Sequence, residues 1–364
     1  MIVQRLTRIK DWYEHNERRV STFSLIAGFV FDSLTLTRID SLLDNAWLGI
    51  NLVAVAVCII LLHKAEHENL PGEDSRPDTK KHFWLFNVMQ FNFGALLGAS
   101  FIFYFRSAAL SVSWPFLLLL LAAMFANELL KKHYDRLVFQ ISFLYLSIFV
   151  FSIFLVPVLL HRIGPVVFLA SGVLSLLVLW GFIKILKEFS RQTLFSVASI
   201  FIIINILYFA NIIPAIPLAL KDGGIYHSVT RTLSGGYAVA EEKKGWRDII
   251  RLHDTIHLVP GDTLYAYSAV FSPTDLDTNI VHEWQYKDED PPAGGSEWVT
   301  SSRIPLRLFG GRAEGFRTYS VKSNLREGLW RVNVATPRGA IIGRITFRIV
   351  ESTTRPPVDV VIKR

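Results

Sequence analysis

Seven long apolar runs dominate the first 220 residues, and each is about long enough to cross the hydrocarbon core of a bilayer as a helix. Charged or turn residues bound every run. The runs are Val20 to Thr37, Ala46 to Leu62, Phe83 to Phe105, Ala108 to Ala126, Leu137 to Leu160, Val166 to Ile185 and Leu194 to Leu218. Because a soluble protein rarely buries so many such helices, the runs predict an α-helical multi-pass membrane bundle of about seven spans over residues 20–220.

The composition of the chain changes at the end of these runs. Hydrophobic residues make up 51% of the whole chain and charged residues 19%. The last 144 residues hold 20 Lys/Arg and 17 Asp/Glu, whereas the first 220 hold 18 and 14. This contrast excludes a single soluble domain. The lone cysteine, Cys58, lies inside the second run and excludes a disulfide scaffold.

Basic residues in the short loops predict the orientation of the bundle, because membrane insertion keeps Lys- and Arg-rich loops in the cytoplasm. Fifteen of these residues precede the first run or fall in every second loop after it, against three in the alternate loops. We therefore expect a cytoplasmic N-terminus. An odd number of spans then puts the C-terminal domain outside, in the periplasm of a Gram-negative inner membrane. Much of the net charge of +7 reflects this topology, so no nucleic-acid partner is expected.

The residues before the first run form a basic leader, residues 1–19. Apolar residues recur there at helical spacing between basic ones, which favours a cytoplasmic amphipathic helix on the inner leaflet. A frayed basic segment fits the same pattern. Asp32 interrupts the first run and no small-x-small cleavage site follows, so we interpret that run as an anchor rather than a signal peptide.

A polar cluster is predicted at the outer end of the bundle, where charged side chains are costly without a partner or a purpose. The topology gives five charged residues a similar depth in the membrane. They are Asp32, Arg38, Asp40, Asp44 and Arg106. One interpretation is an ion-pair lattice that ties helix ends together. The other is an outer-face pocket for an ion or an anionic head group, belonging to a membrane enzyme or transporter.

Residues 221–364 show short alternating runs separated by turn residues, which are typical of an all-β domain. Eight strands in about 130 residues favour an immunoglobulin-like sandwich. Without cysteine in this region, packing alone holds such a sandwich together. The predicted strands are Tyr237 to Ala240, Thr255 to Leu258, Thr263 to Phe271, Asn279 to Tyr286, Arg303 to Leu308, Phe316 to Val321, Gly328 to Ala335 and Ile341 to Val350.

Two sets of residues in the β domain are candidates for binding. His282, Trp284 and Tyr286 share one strand face, which either packs inward, the favoured interpretation, or stacks outward on a sugar or peptide. Arg312 follows the glycine pair of the turn Gly310-Gly311-Arg312, and Arg317 comes after it. This turn either binds an anion through backbone N–H groups and guanidinium or is a plain Gly-rich turn with solvated arginines.

We found no catalytic motif, and no metal or cofactor is expected. His253, Asp254 and His257 are close in sequence, but their segment is predicted as a strand, where the spacing does not suit metal ligands.

The C-terminal residues also carry a family resemblance. The segment Gly328-Leu329-Trp330-Arg331-Val332-Asn333-Val334, with Gly339, Ile342-Gly343 and Phe347-Arg348-Ile349 after it, resembles the final hairpin of the bacterial family catalogued as domain of unknown function 2914. His282-Glu283-Trp284, Arg317-Thr318-Tyr319-Ser320 and the segment from Phe31 to Leu36 are similar to that family's pattern as well. The family name assigns no activity, so the resemblance implies fold and topology alone.

The sequence therefore predicts an inner-membrane protein that holds a periplasmic β-sandwich as a binding or assembly module. The expected partners are the lipid bilayer and an envelope protein, glycan or lipid. The sequence does not identify the ligand or the oligomeric state. The alternative is the membrane enzyme or transporter with its site at the outer polar cluster.

Overall fold

The structure of the chain is a computed structural model that describes most residues after residue 28. The described residues are 29–30, 32–36, 40–67, 79–130, 136–188, 190–233, 235–243, 253–273, 276, 278–289, 295–312 and 314–363. The chain forms two compact units. Helices make up the first, and the second holds the strands from Ala210 onward. The predicted leader, residues 1–19, and Arg38 lie outside the described residues.

Six long helices are described in the first part of the chain. They are α1 (Leu42–His67), α2 (Thr79–Arg106), α3 (Leu110–Leu129), α4 (Leu137–Leu160), α5 (Pro165–Leu186) and α6 (Arg191–Phe209). Each of the six is long and apolar enough to cross a membrane. Residues 29–30 and 32–35, at the end of the first predicted run, are also helical. The helices match the other six predicted runs, although α6 ends at Phe209 rather than near Leu218.

Local sequence accounts for several helix ends. The Ser41 hydroxyl accepts a hydrogen bond from the Asp44 backbone N–H at 3.3 Å, which caps the start of α1. Gly164 precedes α5 and Pro165 fills its first turn, where a missing N–H costs nothing. Lys187 adopts a left-handed conformation and closes the last turn of α5 through a bond to the Ile183 carbonyl oxygen.

Polar side chains pair inside the helical unit, and many large apolar side chains lie on its outside, as in membrane bundles. Gln90 of α2 and Asn127 of α3 each donate their side-chain amide to the other's backbone carbonyl oxygen at 3.1 Å. Large apolar side chains lie on the outside instead, among them Phe195 (77% exposed) and Ile206 (60%). The Asn205 side-chain amide donates to the Phe201 carbonyl oxygen of its own helix at 2.8 Å.

Eleven strands are described in the second unit. They are β1 (Ala219–Tyr226), β2 (Ser228–Arg231), β3 (Tyr237–Glu242), β4 (Asp254–Leu258), β5 (Leu264–Phe271), β6 (Thr278–Asp288), β7 (Glu297–Leu308), β8 (Phe316–Lys322), β9 (Gly328–Ala335), β10 (Ile341–Glu351) and β11 (Val358–Lys363). All eight predicted strands are present. Strands β1, β2 and β11 were not predicted, because β1 contains two glycines and a charged pair, β2 has four residues and β11 follows two prolines.

The strands form three sheets, and core clusters join them. The orders are β1-β5-β8, β4-β10-β9-β6-β7 and β11-β3-β2. Neighbours pair antiparallel except β10 with β4, which pair in parallel. One apolar cluster joins the first sheet to the five-stranded sheet and holds Trp284, Trp330 and Phe347. A tyrosine-rich cluster around Val239 and Tyr267 joins the first sheet to the third.

Trp330 belongs to the apolar cluster that joins the first sheet to the five-stranded sheet, and its substitution should be costly. It is 1% exposed and its indole N–H donates to the Arg326 carbonyl oxygen at 2.8 Å. We expect Trp330→Ala to lower the free energy of unfolding of the β-rich unit by about 3–5 kcal/mol through cavity formation. Leu329→Ala, on the other face of the same strand, should cost less than about 1 kcal/mol. Thermal unfolding of the purified full chain in detergent measures both, and equal losses would contradict the packing role of Trp330.

Candidate functional site

Arg106, at the end of α2, contacts the end of the first helical stretch. Its guanidinium donates to the backbone carbonyl oxygens of Ser33, at 2.8 Å, and of Leu36. These bonds satisfy acceptors that a helix C-terminus leaves without a partner. Asp32 lies in the same stretch, and its carboxylate oxygen is 3.8 Å from where a Cβ on Gly98 of α2 would stand. The structure therefore places the helical stretch that contains Asp32 beside α2, the helix that carries Arg106.

The other members of the outer polar cluster lie near the start of α1. Asp40 precedes the helix and Asp44 occupies its first turn, where a negative charge interacts favourably with the helix dipole. One carboxylate oxygen of Asp44, Oδ2, is buried without a hydrogen bond. The described contacts of Arg106 and Ser41 are hydrogen bonds at helix ends, and both the ion-pair lattice and the outer-face pocket stay predictions.

His282 and Trp284, candidates for binding in the β domain, lie in its core. Both are fully buried on β6. The Ser268 hydroxyl is 2.8 Å from His282 Nε2, and the Ser320 hydroxyl is 2.9 Å from Nδ1. The Trp284 indole N–H donates to the same Ser320 oxygen at 3.0 Å. Every polar atom of the imidazole and indole thus has a partner, and the face packs inward.

The remaining candidates in this region lie outside the buried core. Tyr286 is half-buried, and the Arg326 guanidinium lies 3.4 Å from its ring centroid. Arg312 is exposed beside the Phe316 ring, at 5.8 Å. In the Gly-rich turn next to it, the backbone N–H of Gly311 donates to the Ser272 carbonyl oxygen at 3.1 Å. That amide is therefore committed to the turn rather than directed at an anion.

Arg317, the second arginine of that pair, lies on β8 rather than in the turn. It is partly buried, and its backbone carbonyl oxygen accepts a hydrogen bond from the Tyr237 hydroxyl at 3.4 Å. The structure therefore does not bring Arg312 and Arg317 into one described contact.

A polar network on the outer face of the five-stranded sheet was missed by sequence reasoning. Because Trp284 and Trp330 face inward, their neighbours Gln285 and Arg331 face outward. The Arg331 Nε–H donates to the Gln285 side-chain oxygen at 2.7 Å, and the Asn333 amide donates to that oxygen at 3.1 Å. Asn333 is only 2% exposed and also donates to Glu283 at 3.1 Å. The network is therefore preorganised by bonds between neighbouring strands.

Two arginines dominate this network. Arg331 lies 4.1 Å from the Trp298 ring centroid, and Arg344 of β10 donates its Nε–H to the Asn333 side-chain oxygen at 2.7 Å. Burial, together with the nearby Arg344 charge, lowers the pKa of Arg331 to about 10, while Glu283 opposes the shift. Burial also lowers the pKa of Arg344. Both guanidiniums remain charged at neutral pH, so two poorly hydrated cations lie close together on this face.

The outward positions of this sheet carry an excess of positive charge. They are identified by alternation with the inward residues of the core clusters. The cations at these positions are Lys287, Arg303, Arg307, Arg331, Arg344 and Arg348. Among the described strand residues at outward positions, one carries a carboxylate, Glu283. Its Oε1 lies 3.8 Å from the Arg303 Nε. We call these outward residues, together with Trp298, the basic face.

A polar cleft of about 330 Å³ lies elsewhere in the unit, lined in part by β1, β3 and β4. Glu242 is one of the residues that line it, and its carboxylate contacts His227 Nε2 at 3.0 Å and His257 Nδ1 at 2.8 Å. Burial tends to raise the pKa of Glu242, but the hydrogen bonds from the two histidines outweigh it and the pKa falls below its usual value. Among the described residues, no group of three or more His, Cys, Asp or Glu side chains is arranged to hold a metal ion.

Buried His282 should make the stability of the β-rich unit depend on pH. Burial lowers its pKa from 6.5 to about 4 in the folded state. Above pH 6.5 the imidazole is neutral in both states. As the pH falls from 6.5 to 4, the unfolded chain binds a proton that the folded chain does not, so stability falls, by up to about 3 kcal/mol. Unfolding of His282→Asn, measured over the same range, should show a flatter pH profile, whereas an unchanged profile would contradict the assignment.

Comparison with known proteins identifies one region of the chain. No curated protein matches the chain. Among solved structures, β-glucosidase from Listeria innocua in complex with gluconolactone is 11% identical, over 31% of this chain and 16% of that one, with a TM-score of 0.19. Alkylpurine DNA glycosylase AlkC from Pseudomonas fluorescens, bound to DNA containing an abasic site analog, is 10% identical, over 86% of this chain and 98% of that one, with a TM-score of 0.21.

Neither structural similarity supports a conclusion about fold or function at these scores, and the chain spans only 16% of the length of the β-glucosidase. The family comparison is more informative. Residues 277–349, which include β6 to β9 and most of β10, match the family described as protein of unknown function (DUF2914). Residues 277–349 of the C-terminal region therefore match the DUF2914 family, as the sequence resemblance predicted.

Proposed function

We propose that this chain is an inner-membrane protein whose periplasmic β domain binds an acidic segment of an envelope protein through the basic face. The single observation that carries the proposal is the pair of partly buried guanidiniums, Arg331 and Arg344, held in place by side-chain amides on an outward sheet face. Fixed donors of this kind suit the recognition of carboxylates.

The membrane part of the proposal rests on composition and charge. Six described helices are long and apolar enough to span a bilayer, and apolar side chains cover their outer surfaces. The excess of Lys and Arg in alternate loops supports a cytoplasmic N-terminus. With seven spans, the β-rich unit then lies in the periplasm.

The strand order supports an immunoglobulin-like sandwich. The five-stranded sheet has an edge strand parallel to its neighbour, followed by three antiparallel neighbours, in the order β4-β10-β9-β6-β7. The facing sheet has the order β1-β5-β8, and a buried tryptophan, Trp284, lies on β6, an interior strand of the five-stranded sheet. Variable-type immunoglobulin domains likewise enlarge one sheet and bury a tryptophan on an interior strand of that sheet. The third sheet, β11-β3-β2, is an addition to that plan.

The ligand class follows from the electrostatics of the basic face. Burial lowers the pKa of both guanidiniums, and the Arg344 charge lowers that of Arg331 further, as expected for two like charges that lie close together. A carboxylate placed between them would remove the repulsion and accept charge-assisted hydrogen bonds. Within the described residues, each guanidinium uses its Nε–H in the network, whereas its terminal nitrogens make no hydrogen bond to the protein.

The residue types of the face favour a protein partner. Arginine and tryptophan are enriched among the residues that dominate binding energy in protein interfaces. Trp298 is partly exposed and stacks on Arg331, so it offers apolar area beside the charge. Because Gln285 and Asn333 already hold Arg331 and Arg344, little side-chain entropy is lost when a ligand binds.

Substitution of the arginine pair tests this function. The full chain in lipid nanodiscs is titrated with a Glu/Asp-rich peptide by calorimetry. We expect Arg331→Gln and Arg344→Gln each to weaken binding about tenfold, because each removes a charged donor. The matched control, Arg231→Gln, removes an exposed arginine from β2, which belongs to another sheet, and should change the affinity about twofold or less.

Two further arms of the experiment define what would contradict the proposal. An oligosaccharide of uronic acids is titrated in parallel, and its tighter binding at the same arginines would replace the protein partner with an acidic glycan. Binding of neither probe, or equal losses for all three variants, would overturn the basic face as a binding site. Thermal unfolding of each variant confirms that the β-rich unit remains folded.

A further inference from the structure

Strand β11 is the edge of the sheet β11-β3-β2. Its strand partner among the described residues is β3, with Val361 opposite Val239. An edge strand has one row of backbone N–H and C=O groups without a neighbouring strand, and such a row is a template for pairing. Folded proteins usually protect edges of this kind with charges, prolines or bulges.

The side chains of β11 are unusually apolar for an exposed edge. Val358, Val360, Val361 and Ile362 are 39%, 70%, 36% and 52% exposed. All four are β-branched, the side-chain class that fits a sheet best. Val360 and Ile362 lie on one face of the strand, so their exposure forms a continuous apolar strip beside the open backbone.

The sequence of β11 is complementary to itself in an antiparallel arrangement. When two copies pair about Val361, that residue lies opposite its own equivalent and Val360 lies opposite Ile362. In the same register Asp359 of one copy lies opposite Lys363 of the other, twice by symmetry. The register therefore pairs apolar residues with apolar ones and opposite charges with each other.

Contacts within one chain extend this charge pattern. Lys363 lies 3.0 Å from the Asp222 carboxylate, and Asp359 lies 3.4 Å from the Lys243 ammonium. Pairing of two strands about Val361 would thus join four charges of alternating sign on each side of the symmetry axis. Alternation of this kind stabilises this register relative to registers that are shifted along the strand.

We propose that β11 is a homodimerisation strand, which pairs antiparallel with β11 of a second copy about Val361 to form one six-stranded sheet. The proposal is independent of the basic face, which lies on another sheet. Two copies anchored in one membrane meet at a high effective concentration, so a short strand pair is enough to hold them together.

Cysteine cross-linking tests the register directly. The native Cys58 is buried in α1 and is replaced by alanine in all variants. Residues directly opposite in an antiparallel pair are about 4.5–5.5 Å apart between Cα atoms, within the range of a disulfide. We expect Val361→Cys to give a covalent dimer of the full chain in nanodiscs upon mild oxidation. The control Val358→Cys should give none, because its two copies would be about 20 Å apart.

Charge reversal tests the same pairing without a covalent bond. Lys363→Glu and Asp359→Lys each place like charges opposite each other in the dimer, and each should raise the dimer dissociation constant about fivefold. The double variant Asp359→Lys/Lys363→Glu restores opposite pairs between copies and should restore dimerisation. It does not restore the original pairs with Asp222 and Lys243, so recovery cannot come from contacts within one chain.

Light scattering of the full chain in detergent measures the dimer in each variant. A monomer at every concentration would overturn the proposal, as would a dimer that neither charge reversal weakens. Equal cross-linking at positions 358 and 361, or no recovery in the double variant, would overturn the proposed register. Capture of a different protein by β11 in place of a second copy would likewise overturn it.

Discussion

Inward packing of Trp284, Trp330 and Phe347 is the constraint on which the rest of the β-rich unit depends. The Trp284 and Phe347 rings meet edge to face, with centroids 6.2 Å apart. Their strands, β6, β9 and β10, are neighbours in one sheet. Once these side chains face the core, alternation sends the next residue of each strand outward. The outward position of Arg331 is therefore a consequence of core packing, and the basic face follows from it.

The same core tolerates polar groups only where they are fully paired. His282 is buried among apolar neighbours and keeps hydrogen bonds to Ser268 and Ser320 on two other strands. A buried imidazole without these partners would cost the desolvation of its ring nitrogens. The network joins β5, β6 and β8 across two sheets. Because it depends on a neutral imidazole, the stability of the β-rich unit falls at acidic pH.

The two units place their large apolar side chains differently. In the helical unit the apolar side chains are partly on the outside, as expected where the solvent is lipid, and polar side chains pair within the bundle. In the β-rich unit the largest apolar side chains are inside. The exceptions to that rule include the partly exposed Trp298 and the apolar strand β11, and these two support the two proposed interaction surfaces.

The sequence by itself determined the two-part organisation, six of the helices, eight of the strands and the DUF2914 resemblance. These follow from local signals such as run length and strand alternation. Only the tertiary structure decided which strands are neighbours, and so that Arg331 and Arg344 are close and that β11 is an edge. Strand order depends on contacts between residues far apart in the chain, such as Asn333 with Glu283, and a local pattern carries no information about such contacts.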